Sequence, residues 1–318
     1  MILGEFAKDV MLAIIVICIV IVGVSIMLGP KSPPVMSSID STAKSLDYRG
    51  LPTVSYFTAR DNTQLAYRVY RGSPDKVAIL VHGSSGSSVS MHALGKVLSN
   101  NGITVFALDV RGHGDSGSRG DINYVGQLED DLADFVNFIR ADYPAAPITL
   151  IGHSSGGGFA LRIAGSQLND LFSQYILLSP YLNYDSPTVR PANKDWANAS
   201  VPRVVGISIL NRLGIHYFDS IPVVAFAVPE DVSILTKTYS YRLWNNYKAN
   251  DNYLEDFRKT SAPITIIVGA DDEQLYPEQF APLVQPVNDK VTVQIVPNTN
   301  HMAIVSKGDA LKTIIQHF

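Results

Sequence analysis

The stretch Leu150–Leu161, "LIGHSSGGGFAL", follows a short β-branched run, Ile148–Ile151, with two serines and four glycines and then turns apolar again. A strand joined to a helix through so short a turn forces its central residue into strained backbone geometry. Side chains two positions to either side of that residue then collide with their neighbours. Gly152-His153-Ser154-Ser155-Gly156 fits the spacing G-x-S-x-G with a strand before it and a helix after it, the setting of a nucleophile elbow. Centred on Ser154, both flanking positions are glycine; centred on Ser155, one of them is His153, which is too large. Ser154 is therefore the candidate nucleophile. Ser155 is expected as the first residue of the helix, offering its backbone N–H, and Gly157 and Gly158 as places where the helix sits close to the sheet.

Alone, the pentapeptide also suits a glycine-rich turn that does nothing but pack, so partners decide. A serine hydroxyl needs a base within reach, and the base needs a carboxylate to orient it. In "VPNTNHMAIV" His301 follows the last predicted strand and precedes the final helix. His92 and His317 fall on predicted helices, His216 in a long insert and His153 in the elbow, while His113 in "DVRGHGDS" reads as a loop-shaping residue. For the acid, "IIVGADDEQLYP" offers Asp271, Asp272 and Glu273 after the penultimate strand. Asp272, three residues past Gly269, is the first choice, Asp271 the second and Asp185 an outsider. The order Ser154, Asp272, His301 is the one found with such an elbow. Two backbone N–H groups must face the developing oxyanion. Ser155 supplies one candidate and Ser84, in "HGSSGSS" after the strand "KVAILV", the other, with Gly83 expected to give the backbone freedom there. A phosphate-cradling reading of this loop fails because no lysine follows at P-loop spacing.

Around these motifs β-branched runs alternate with amphipathic segments, an α/β pattern with a mostly parallel sheet. Strands are expected at 54–59, 65–70, 77–81, 104–108, 148–151, 175–178, 264–268 and 291–296, and helices at 91–100, 124–141, 157–168, 277–284 and 309–317. From Pro180 to about Ser261 roughly 80 residues intervene without an obvious strand, too many for a plain crossover. The aromatics there, including Trp196, Tyr239, Trp244 and Tyr247, suggest an inserted helical cap (about 181–261), most of them forming its own core and a minority lining a pocket.

The 318 residues are 46% hydrophobic and carry 25 basic against 29 acidic side chains, with no basic run to neutralise a phosphate backbone, so nucleic acid is not an expected partner. The single cysteine excludes an internal disulfide and any multi-cysteine metal site, and no metal or cofactor is called for. Val10–Pro30 holds no charged side chain. As a helix about 21 residues long it would reach ~31 Å, close to the ~30 Å apolar core of a bilayer. The run is too long, and too acidic at its start, for a cleaved signal peptide. Residues 1–30 therefore read as an uncleaved membrane anchor, with Cys18 facing lipid; Ile17 before it is not the small residue a lipoprotein site would have. "KSPPVMSSIDSTAKSL" (31–46) reads as a tether to a folded unit at 47–318. Basic residues after the span outnumber Lys8 before it, which favours a cytoplasmic main domain, but a signal anchor that exports the domain has the same layout.

From about residue 50 onward the chain resembles the α/β-hydrolase superfamily. "LVHGSSGS", "DVRGHGDS", "GHSSGG", "VGADDE" and "NTNHM" look like its oxyanion loop, post-strand loop, elbow, acid loop and histidine loop, in that order. Within it the chain is similar to the lysophospholipase, monoacylglycerol lipase and serine aminopeptidase-type group, which carries a cap in the same place. The resemblance implies that Ser154 attacks an acyl ester of a small molecule or lipid, that His301 moves the proton and that Asp272 fixes the imidazole, through an acyl-enzyme. Peptidase or carbon–carbon hydrolase chemistry on the same residues, or a non-catalytic pocket for apolar ligands, fits the same fold. "NTNHM" departs from the pattern in lacking the glycine often found before the histidine.

Overall fold

The computed structural model describes residues 2–36, 48–191, 195–229 and 232–318. An amino-terminal helix α1 (Ile2–Met27) precedes a folded body built on one eight-stranded sheet. Its strands are β1 (Ser55–Thr58), β2 (Gln64–Tyr70), β3 (Val77–Val81), β4 (Thr104–Leu108), β5 (Ile148–His153), β6 (Gln174–Leu178), β10 (Ile264–Gly269) and β11 (Thr292–Val296). They lie in the order β1-β2-β4-β3-β5-β6-β10-β11. β1 and β2 run antiparallel and all pairs from β4 to β11 are parallel.

The central strands are apolar at successive positions because both faces of the sheet are covered. Val77, Ile79 and Val81 of β3 enter one core and Ala78 and Leu80 the other, the period-two alternation of a strand. The first core takes α3 (Gln127–Arg140), α4 (Ser155–Ala164) and α7 (Tyr253–Lys259); the second takes α2 (His92–Asn100) and α9 (Gly308–Ile315). α8 (Phe280–Val284) lies between β10 and β11, before which Pro277–Gln279 forms a 3-10 turn.

Two expectations need correction. The stretch between β6 and β10 is not purely helical. It holds a three-stranded antiparallel sheet, β7 (Ala197–Ala199), β8 (Pro222–Phe226) and β9 (Thr238–Ser240), beside α5 (Val201–Arg212), α6 (Tyr241–Asn246) and α7. Two of these strands are only three residues long, too short to leave a periodic signature. The helix at the amino terminus also stops at Met27, short of Pro30, whose ring disfavours helical geometry at the residue before it. The apolar helical stretch is Lys8–Met27, 20 residues. Most of the tether expected over 31–46 falls on 37–47, outside the described residues.

Candidate active site

Ser154 sits between β5 and α4 with φ 52° and ψ −119°, a conformation that non-glycine residues rarely adopt. Its N–H donates to Leu178 O (2.9 Å), and its own carbonyl accepts from Gly158 N–H and Tyr181 N–H at 3.0 Å each, so backbone on both sides of the turn holds the strain. The flanking glycines are required by contact. A Cβ on Gly152 would stand 2.1 Å from Gly156 O, and one on Gly156 would stand 2.3 Å from His82 O. Gly157 makes the close approach to the sheet expected of it, since a Cβ there would meet Gly152 O of β5 at 3.0 Å as well as Pro180 Cβ at 2.9 Å, whereas the missing side chain of Gly158 admits the Tyr181 carbonyl, in the chain after β6, at 2.3 Å. Ser155 is the first residue of α4.

His301 lies in the turn between β11 and α9. Its Nδ1 is 2.9 Å from Asp272 Oδ2 and 3.1 Å from Oδ1, with both residues nearly fully buried. A carboxylate can only accept, so Nδ1 carries the proton and Nε2 is left with its lone pair. Asp272 Oδ1 also takes the N–H groups of Gln274 (2.9 Å) and Leu275 (3.0 Å). Burial pushes the Asp272 carboxyl up, but the His301 charge and these hydrogen bonds win and hold it below its usual value. Burial likewise pulls His301 down, and the attraction of Asp272, aided by Glu273, raises it above the ordinary imidazole value. Asp271 and Asp185 are exposed, so of the three acid candidates only Asp272 meets the histidine. The missing glycine of "NTNHM" is made good by Asn298, which turns the loop at φ 51°, a conformation asparagine tolerates.

The elbow and the histidine loop are joined one residue from Ser154. The buried His153 ring is 5.0 Å from that of His301, and its Nε2 donates to His301 O at 3.0 Å. Burial and the neighbouring His301 charge push His153 down to about 3, so it stays neutral beside the reacting group. Among the described residues Ser154 Oγ makes no hydrogen bond to the His301 ring; contacts of this kind commonly close only around substrate.

The loop after β3 touches the same serine. A Cβ on Gly83 would meet His153 Nδ1 at 3.0 Å and Ser154 Cβ at 3.2 Å. Gly83 is thus needed for proximity, not for the backbone freedom expected of it; the left-handed residue of the loop is Ser85, at φ 65°. Among the described residues neither the Ser84 N–H nor the Ser155 N–H donates to a protein acceptor.

Sequence reading missed what holds this loop. Trp196 Nε1 donates to Ser84 Oγ (2.9 Å), the Tyr239 hydroxyl accepts from Ser85 N–H (2.8 Å), and Tyr247 donates to the His82 carbonyl. Tyr239 in turn donates to His113 Nε2 at 2.5 Å, which gives His113 the loop-shaping part expected of it. Glu273 was also passed over, although its Oε2 accepts the His301 N–H at 3.0 Å. No spacing rule links Tyr239 to Ser85, 154 positions away; the crowd of aromatics was the only signal. His216 is exposed and bonded to Asn211 and Asp219. Among the described residues searched, no cluster suited to a metal ion occurs.

A mostly parallel sheet broken by an insert after β6, with a strained serine at the β5–α4 turn and a buried Asp–His pair beyond β10 and β11, defines the α/β-hydrolase fold. Residues 72–307 match the family model described as serine aminopeptidase, S33, and the chain belongs to that family. It is 31% identical to the monoglyceride lipase of Rattus norvegicus over 152 residues, which cover 47% of this chain and 49% of that one. It is 29% identical to protein phosphatase methylesterase 1 of Bos taurus over 158 residues, covering 44% and 41%. The chain thus spans about half the length of the curated relatives it matches. Among solved structures, a soluble variant of monoglyceride lipase from Saccharomyces cerevisiae, in complex with a substrate analog, superposes with a TM-score of 0.65 at 16% identity, covering 86% of this chain and 96% of that one.

Proposed function

We propose that this chain is a serine hydrolase that cleaves carboxylic esters of lipid-derived acyl groups and is held at a membrane by α1. Ser154 Oγ attacks the acyl carbonyl and passes its proton to His301 Nε2, while Asp272 keeps Nδ1–H in place and stabilises the imidazolium. The carbonyl oxygen takes negative charge in front of the Ser84 and Ser155 N–H groups, each donor being worth about 3–4 kcal/mol in sites of this type. Collapse expels the alcohol, which takes the proton from His301 and leaves Ser154 acylated. Water, deprotonated by the same Nε2, then releases the fatty acid and restores the serine.

The observation that carries this reading is the strained backbone of Ser154 together with a buried histidine whose Nδ1 is saturated by Asp272. Strain of that kind persists only where surrounding structure enforces it. The likeness to monoglyceride lipases supports an acyl-ester substrate, and the 20-residue apolar helix supports the anchor. The full chain in detergent should release p-nitrophenol from p-nitrophenyl acyl esters with a burst of about one equivalent, followed by slower turnover. Neither burst nor turnover from wild type on any chain length would remove the proposal.

A further inference from the structure

Helix α1 does not leave the folded body as a free tether. Its last turns lie on α5, the longest helix of the segment between β6 and β10. Gly206 of α5 lets the backbones close in: a Cβ there would meet Ile26 Cγ1 and Ser25 Cβ at 3.2 Å and Val22 O at 3.4 Å. Arg203 binds the carbonyls that α1 leaves open at its carboxyl end, Ile26 O at 2.7 Å and Met27 O at 3.2 Å, and also Pro222 O at 2.6 Å. Ser200 Oγ donates to Leu28 O. A cation at a helix carboxyl end is favoured by the helix dipole as well.

Beside this contact α5 exposes a row that a water-facing helix would not carry. Val201, Val205, Ile209 and Leu213 are 65%, 50%, 40% and 70% exposed, and the row continues into Ile215 and Tyr217 at 44% and 85%. At about 100° per residue the row lies opposite the fully buried Ile207 and adjoins the one carrying Arg203 and Gly206. It is therefore continuous with α1, whose contact residues Val22–Met27 occupy the last ~9 Å of the apolar span. That is the depth at which an interfacial helix lies in a bilayer.

We infer that the exposed row of α5 is a lipid-binding face, held in the bilayer interface because α1 grips α5 through Arg203 and Gly206. This rests on α1 being a membrane anchor. The membrane is then attached to the insert, and through it to the site. α5 runs into β8, which pairs with β7 beside Trp196 and with β9, which carries Tyr239, and these side chains hold Ser84 and Ser85.

The test uses the full chain in phosphatidylcholine vesicles, in a Cys18→Ser background, with single cysteines replacing Val205, Leu213 or, as a distant exposed control, Lys290. Each is labelled with an environment-sensitive fluorophore and challenged with spin-labelled lipids after vesicle flotation. Labels at 205 and 213 are expected to be blue-shifted and quenched on the order of fivefold more steeply than at 290. In Arg203→Ala, and in Gly206→Leu checked for folding by circular dichroism, the protein should still float while the quenching at 205 and 213 drops toward that at 290. Protein that floats but shows equal quenching at 205, 213 and 290 overturns the lipid-binding face and leaves the anchor standing. Quenching that survives in both docking variants overturns the grip. Protein that does not float removes the anchor, and the inference with it.

Discussion

Replacing Tyr239 with phenylalanine keeps the ring against Phe226 (4.6 Å between centroids) and His113 (5.1 Å) and deletes only the hydroxyl. That hydroxyl accepts from Ser85 N–H and donates to His113 Nε2, and all three residues are buried. The variant leaves a donor and an acceptor without partners where water is excluded. At about 1–3 kcal/mol for each group so stranded, the loss of stability should be about 2–6 kcal/mol. At about 2–4 °C per kcal/mol for a domain of this class, the melting temperature should fall by roughly 4–24 °C. The consequence for catalysis is separable. Ser85 follows Ser84, and freeing its N–H lets the proposed oxyanion donor drift, while Trp196 and Tyr247 still hold the loop on either side. A partial loss, about tenfold in kcat with KM changed little, is expected at temperatures where the variant is fully folded, set against the 10²–10³-fold cost of removing such a donor outright. Thermal denaturation followed by circular dichroism gives the first quantity and initial rates on a soluble acyl ester give the second. A melting shift of less than about 1 °C would refute the hydrogen-bond reasoning. A large shift with unchanged kcat would make Tyr239 a structural residue only.

Asp272→Asn should lower kcat by about 10³–10⁴ with the protein still folded, because the amide no longer fixes Nδ1–H and leaves the imidazole in the wrong tautomer; steady-state kinetics with a circular dichroism control checks this. In the wild type, kcat/KM should rise with pH as His301 loses its second proton. Because Asp272 lifts that group above the ordinary value of ~6.5, the midpoint should lie above it, and a midpoint below it would contradict the pairing. Stability should follow the same pair with opposite signs. The lowered Asp272 stabilises above the ordinary carboxylate value, an effect lost as pH falls through its folded value. The raised His301 stabilises fully below the ordinary imidazole value, an effect lost as pH rises through its own; urea unfolding across pH reads both. Gly156→Ala places a methyl 2.3 Å from His82 O, a backbone atom with no room to yield, and should cost about 3 kcal/mol or more in the same assay.

The main sheet was legible because its buried strands write themselves as β-branched runs, and β3 and β4 fall on the residues the sequence suggested, 77–81 and 104–108. The elbow was legible for a steric reason: glycines at 152 and 156 have one arrangement that needs them both. The small sheet was hidden because "ANA" and "TYS" carry no pattern, and its pairing is decided by tertiary contact. Gly83 was read for the wrong property, since a glycine needed for close approach and one needed for a left-handed turn are spelled alike. The part of Asn298 was likewise invisible, although a residue that tolerates positive φ stood three places before His301. The grip of Arg203 on α1 joins residues 177 positions apart and depends on an arrangement that local sequence does not encode.

The central claim is that Ser154, and not its neighbour, is the nucleophile. Treatment of the full chain with a fluorophosphonate, followed by peptide mass spectrometry, reads this directly. A single adduct on Ser154, lost in Ser154→Ala and kept in Ser155→Ala, is the predicted result. An adduct on Ser155, or labelling that persists in Ser154→Ala, would contradict the account.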